Sequence, residues 1–181
     1  MKKIAVLASG AGSTFKYLYD NLRGDVEFAF VGVDRKAAII DIAKAYHLKL
    51  EWVKDGLLEI LDRHSPDLIV LAGYLSLIPE SVVKKYGAKI INVHPALLPK
   101  YGGKGFYGQR VHAAVWQNGD VVSGATVHYV NAAYDQGRII AQRFVDVKGL
   151  SAAQIETSVK YVEKRLLLYV VKELLEIETR C

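Results

Sequence analysis

The chain has 181 residues, 51% of them hydrophobic, with 24 basic and 19 acidic side chains and a mean hydropathy of +0.14, as expected of one soluble domain that needs neither disulfides nor a structural metal. Cys181 stands alone, and the longest apolar runs, Leu68–Ala72 and Leu166–Val171, fall far short of the roughly 18 residues of a membrane span. The net charge of +5 is local: residues 81–134 hold Lys84, Lys85, Lys89, Lys100, Lys104 and Arg110 against Asp120 alone, and the rest of the chain is balanced.

Lys3–Ser9 is an apolar, β-branched run that ends in a glycine loop, and from Ser13 onward Phe15, Leu18, Tyr19 and Leu22 recur at helical spacing. Strand, turn and helix are predicted there. Val26–Val33 and Leu48–Val53 read as further strands, with helices over Arg35–His47 and Lys54–His64. The short runs Asp67–Ala72 and Lys89–Val93 suit buried parallel strands. This alternation predicts right-handed βαβ units and a Rossmann-like, open, mostly parallel twisted α/β sheet with helices on both faces. Gly124–Asn131 and Gly137–Val147 are predicted to form a late antiparallel hairpin. A long helix over Ser151–Thr179 opens with the capping-box pattern Ser151-Ala152-Ala153-Gln154. With no linker or repeat, the expectation is a single domain, 1–181.

Two segments carry chemistry. The loop Ser9-Gly10-Ala11-Gly12-Ser13-Thr14 joins the first strand to its helix, where backbone amides favour a phosphate. Phe15 stands where a dinucleotide fingerprint continues with glycine, so a mononucleotide phosphate fits better, although Asp34 occupies the place of a ribose-binding acid. Taken alone, the loop also reads as a tight turn capped by Ser13. The second segment runs Asn92-Val93-His94-Pro95-Ala96-Leu97-Leu98-Pro99-Lys100-Tyr101-Gly102-Gly103, from the carboxyl end of a strand. Asn92 and His94 are two apart in extended chain, about 7 Å between α-carbons and on one face. The bare pattern suits a turn former and a buried histidine equally. Asp135, in Tyr134-Asp135-Gln136-Gly137, supplies the carboxylate that orients an imidazole and raises its pKa.

Ile91–Lys100, the Asp135 loop and the Ser9–Thr14 loop, in their order, resemble the phosphoribosylglycinamide formyltransferase family of purine biosynthesis over nearly the whole chain. The resemblance implies transfer of the formyl group of 10-formyltetrahydrofolate, a co-substrate, to the amine of glycinamide ribonucleotide, without metal or covalent intermediate. It assigns catalysis to Asn92, His94 and Asp135, and the ribonucleotide phosphate to Gly12, Ser13 and Thr14, with Lys160 and Glu163 contacting the same substrate. Leu71, Leu75, Ser76, Leu77, Ile78, Asn92 and Tyr134 are implied to line the folate pocket. Residues 1–95 would form the phosphate-binding half and 96–181 the folate and catalytic-loop half. The partners are then small molecules, with no nucleic acid and no membrane, for a cytoplasmic monomer or homodimer.

Departures from the family pattern are a shortened segment at Val53–Asp55, no tail after the last helix, Ser76 for a frequent arginine, and Lys164, Leu167 and Leu168 for His, Tyr and Pro. Gly102-Gly103-Lys104-Gly105-Phe106-Tyr107-Gly108 resembles a subset of the family and reads as a mobile lid near an anion. The expected chemistry has the neutral amine attack the formyl carbon while Asn92 and a protonated His94 stabilise the oxyanion and Asp135 orients His94. His112 and His128 read as structural, Lys100, Lys104 and Arg110 as attracting anionic substrates. Transfer to methionyl-tRNA or an amino sugar, and hydrolysis of the folate donor, belong to relatives that usually carry an additional domain, for which 181 residues leave no room. A nicotinamide-binding protein using only the first loop is the rival of a different class.

Overall fold

The computed structural model describes residues 1–177; the predicted helix end at Thr179, and Cys181, lie outside the described residues. Seven strands form one sheet: β1 Lys2–Ala8, β2 Val26–Val33, β3 Leu50–Trp52, β4 Leu68–Leu71, β5 Ile90–His94, β6 Val122–Tyr129 and β7 Ile139–Asp146. Their spatial order is β3-β2-β1-β4-β5-β6-β7. The first five pair in parallel, and β5–β6 and β6–β7 are antiparallel, as the alternating pattern and the late hairpin lead one to expect. Strand order reverses between β1 and β4, and the crevice at their carboxyl ends is where open α/β sheets take ligands.

Six helices cover the sheet: α1 Ser13–Leu22, α2 Ile39–Ala45, α3 Leu57–His64, α4 Glu80–Tyr86, α5 Gln109–Gln117 and α6 Ala152–Leu175. The four residues of β4 are all buried, so a continuous apolar run serves here as strand rather than as one face of a helix. On one face α1, α2 and α6 pack over Ile4, Val6, Val31, Val70 and Val127; on the other, α3 and α4 cover Ala5, Leu7, Phe30, Ile69 and Ile90. Phe15, fully buried, meets Phe28 edge to face with ring centroids 6.0 Å apart. The ring that replaces the third glycine therefore anchors α1 to the sheet. No helix among the described residues is long and apolar enough to cross a membrane.

Local chemistry trims several predicted elements. α2 begins at Ile39 rather than Arg35 because the Arg35 guanidinium turns back onto Asp34 at 2.7 Å, and it stops before His47, whose φ of 54° is left-handed. α3 starts only after Gly56, at φ +78°. α4 forms where no helix is expected, on a segment too short for a convincing apolar period. α6 has the predicted capping box, with Ser151 and Gln154 exchanging side-chain-to-backbone bonds, and buries Ile155, Val159, Leu166 and Val170 along one stripe. It ends at Leu175, capped by Glu176 at φ 55°.

The β6–β7 hairpin closes through Tyr129 N–H to Arg138 O at 2.9 Å, with Gly137 against the strand: a Cβ there would lie 1.6 Å from Tyr129 O. Gly137→Ala is expected to cost roughly 2–3 kcal/mol, because backbone has to move to admit the methyl. Urea unfolding measures this; a loss within about 0.5 kcal/mol, the range of an ordinary surface substitution, would contradict the packing described.

Candidate active site

The loop after β1 and the segment after β4 meet across the switch point. Ser9 N–H donates to Gly73 O at 3.0 Å, and Leu75 N–H donates to Ser9 Oγ at 2.9 Å. These bonds hold open one wall of a cavity of about 480 Å³, lined from Gly10–Thr14, Leu71–Ile78, Asn92–Pro95, Gly103–Gly108, Ala133–Asp135, Lys160 and Glu163. The residues expected to serve catalysis, the phosphate and the folate all line this cavity, whereas Asp34, Lys100 and Arg110 do not, and both halves of the chain contribute to it.

At one end is the start of α1. Gly12, at φ +77°, precedes the helix, and a Cβ there would come within 2.9 Å of Ile39. No side chain caps this helix, contrary to the reading in which Ser13 does so, and no acidic residue stands in its first turn. Its free amides and dipole favour an anion. Thr14 Oγ1 contacts Glu163 Oε1 at 3.4 Å. Burial raises the Glu163 carboxyl to about 7 against the opposing pull of Lys160 and Thr14.

At the other end lies Asp135, at φ 55°. Its Oδ2 accepts from Gly103 N–H at 2.9 Å and lies 3.4 Å from His94 Nδ1; its Oδ1 is 3.4 Å from Asn92 Nδ2 and 3.6 Å from His128 Nε2. Burial pushes this carboxyl up, but His128, His94 and the Gly103 amide outweigh it and leave it below its ordinary 3.8. His94 Nε2 donates to Tyr101 O at 2.7 Å. For His94 burial is the largest influence and lowers the pKa below 6.5, exceeding the upward pull of Asp135 and the Tyr101 carbonyl. The carboxylate is placed to stabilise the charged ring while burial disfavours it, so the two act against each other at His94.

His128 and His112, read as structural, both line the cavity. His128 pairs in register with Asn92 across β5 and β6, directs Nδ1 to Tyr129 O at 2.8 Å, and sets its Nε2 3.1 Å from Asn92 Nδ2. Only strand order brings these two together, and nothing in the local sequence signals it. Lys100 is tied to Asp120 at 2.7 Å, and Arg110 lies over the Tyr107 ring at 5.0 Å; neither is among the residues that line the cavity. Lys104 lines the cavity.

Asp34 is engaged by its protein neighbours. Its side chain, 1% exposed, is forked to Arg35 and accepts from Ser76 Oγ at 2.5 Å. Burial pushes it up, but hydrogen bonds from Arg35, Ser76 and Ser9 bring it to about 2. Ser76 thus spends its hydroxyl on Asp34, while Tyr134 OH reaches Leu75 O at 3.4 Å and closes the rim of the apolar wall.

An uncapped helix start and an Asn–His–Asp cluster face one cavity at the switch point of an α/β sheet, where such folds take small-molecule ligands. The formyl transferase family profile matches residues 36–171, and the chain belongs to that family. It is 35% identical to the phosphoribosylglycinamide formyltransferase of Bacillus subtilis, over 99% of this chain and 98% of that one. Chloroplastic phosphoribosylglycinamide formyltransferases of Arabidopsis thaliana and Vigna unguiculata are 38% and 36% identical, and the chain spans 56% and 61% of their lengths. Among solved structures, glycinamide ribonucleotide transformylase 1 of Geobacillus kaustophilus superposes with a TM-score of 0.86 at 32% identity, covering 97% of this chain and 99% of that one.

The Glu163 environment gives a measurable stability trend. The folded protein holds this proton up to about pH 7, whereas the unfolded chain releases it near 4.5, so the group's contribution is intact below 4.5 and declines as pH rises to 7. Glu163→Gln escapes that loss, and its melting temperature should gain on wild type between pH 4.5 and 7 and hold the gain above. A constant difference across this range would contradict the buried carboxyl.

Proposed function

We propose that the protein transfers the formyl group of 10-formyltetrahydrofolate to the amine of glycinamide ribonucleotide, giving formylglycinamide ribonucleotide and tetrahydrofolate. The observation that carries this reading is the convergence of Asn92, His94 and Asp135 within one cavity that also holds the uncapped start of α1. The phosphate is read onto the amides at Gly12, Ser13 and Thr14, with Lys160 and Glu163 on the adjoining helix. The folate is read onto the wall Leu71–Ile78 and Tyr134, whose apolar side chains suit a flat heteroaromatic ring.

The chemistry follows from the resting state of His94. A neutral amine attacks the formyl carbon, and a carbon–nitrogen bond forms as the carbonyl oxygen gains negative charge. Asn92 Nδ2, whose contact to Asp135 is long at 3.4 Å, turns its N–H to that oxygen. Such contacts tighten only when the reacting atoms are present. The nitrogen sheds a proton to His94 Nδ1, and the imidazolium so formed lies against Asp135 and beside the oxyanion. Collapse of the intermediate breaks the bond to the folate nitrogen, and His94 returns the proton to it. The lowered pKa of His94 makes it a competent acceptor at neutral pH, and Asp135 keeps the charged form accessible.

Asp135→Asn keeps the shape and removes the charge. Formyl transfer, followed as deformylation of 10-formyltetrahydrofolate with glycinamide ribonucleotide, should fall by a factor on the order of 10²–10⁴ with little change in melting temperature. Turnover equal to wild type would overturn the assignment of Asp135. Equal deformylation by the wild type in water alone would instead indicate a hydrolase.

A further inference from the structure

His112 is 2% exposed, sits on α5 and faces the cavity, yet its Nδ1 is sealed from solvent with no hydrogen-bond partner. An orphaned buried nitrogen needs an explanation, since buried polar side chains are nearly always paired. The charged groups nearest the ring are Glu156 and Lys160 of α6 and His94 of β5. Lys160 is held by Glu156, one turn before it, and lines the cavity together with Glu163, which touches Thr14 of the anion loop. The ring therefore stands in the wall between the catalytic histidine and the α1 amides, the stretch that a sugar linking an amine to a phosphate has to cross.

The protonation state follows from these surroundings. Burial is the largest influence and lowers the pKa of His112; Lys160 and His94 push the same way, and Glu156 opposes them. A neutral ring carries one N–H. A buried N–H without an acceptor is rarer than an unmet acceptor, so the bare nitrogen is the sealed Nδ1 and the proton sits on Nε2, through which the ring can meet a bound molecule.

We infer that His112 is a substrate-binding residue that donates through Nε2 to the sugar-phosphate portion of the amine substrate. This rests on reading the cavity as a site for a phosphorylated ribosyl amine. The alternative is a histidine that only packs α5 against α6.

Side-chain stereochemistry separates the two. The amide nitrogen of Gln reaches the place of Nε2, that of Asn only the place of Nδ1, and Phe fills the ring's volume without a donor. His112→Gln, His112→Asn and His112→Phe should be assayed for the KM of glycinamide ribonucleotide and of the folate, for kcat and for melting temperature. Each is also titrated calorimetrically with ribose 5-phosphate. Loss of one hydrogen bond in the site predicts about a tenfold rise in the KM of the ribonucleotide for Phe and Asn, with the folate KM unchanged and ribose 5-phosphate weakened in parallel. Gln should stay within about threefold of wild type. A packing role predicts the reverse order, with Phe closest to wild type, and that order overturns the inference. Wild-type protein that fails to formylate the ribonucleotide sinks the proposed function alone; the ribose 5-phosphate titration then decides for His112, and equal affinity in wild type and variants, or no binding to wild type, overturns it. Should His112→Phe not fold, the contrast of Gln with Asn decides.

Discussion

A single buried carboxylate organises this protein's chemistry. Asp135 is drawn into the cavity by a left-handed backbone turn at the tip of the β6–β7 connection, where it faces His94, Asn92 and His128 and accepts the Gly103 amide. A charge so placed is held by its neighbours, because an unpaired carboxylate in a dry site is costly. The same four partners come from β5, β6 and the glycine loop, so the carboxylate also fixes where those elements meet. The loop 102–108 is thereby a wall of the cavity pinned at Gly103, a firmer role than a free lid.

Burial and charge pull His94 in opposite directions, and the outcome sets its work. A site meant to hold an imidazolium at rest would surround it with more than one carboxylate. Here the ring donates to a backbone carbonyl on one side and meets Asp135 at 3.4 Å on the other, deep enough that desolvation prevails. The ring is poised to take a proton when negative charge appears beside it, which suits a reaction whose intermediate is a transient oxyanion. The far end of the cavity holds the uncapped start of α1, and Lys160, itself paired with Glu156, lines the same cavity.

The parallel sheet, the hairpin and the cap of α6 were legible because each rests on a local pattern: buried apolar runs, two strands close in sequence, and Ser151 with Gln154. Asn92, His94 and Asp135 were legible through resemblance and through their place at strand ends. His128 was not, since its pairing with Asn92 depends on β6 lying antiparallel beside β5, which no short window encodes. The local charge excess finds partners only in the fold: Lys84 meets Glu80 at 3.1 Å and Lys85 meets Asp62 at 2.7 Å, both acids lying outside residues 81–134. Asp34 looked like a ribose ligand because its strand-end position is right; its neighbour Arg35 and the distant Ser76 consume both oxygens.

The central claim is that the unliganded site holds a neutral His94 between the Tyr101 carbonyl and Asp135. Nitrogen-15 spectra of histidine-labelled protein, recorded without ligand from pH 5 to 8, test it directly. The account predicts that His94 titrates below its ordinary value of 6.5 and, once neutral, carries its proton on Nε2. A His94 ring that remains doubly protonated at pH 7, or a neutral ring protonated on Nδ1, would contradict it.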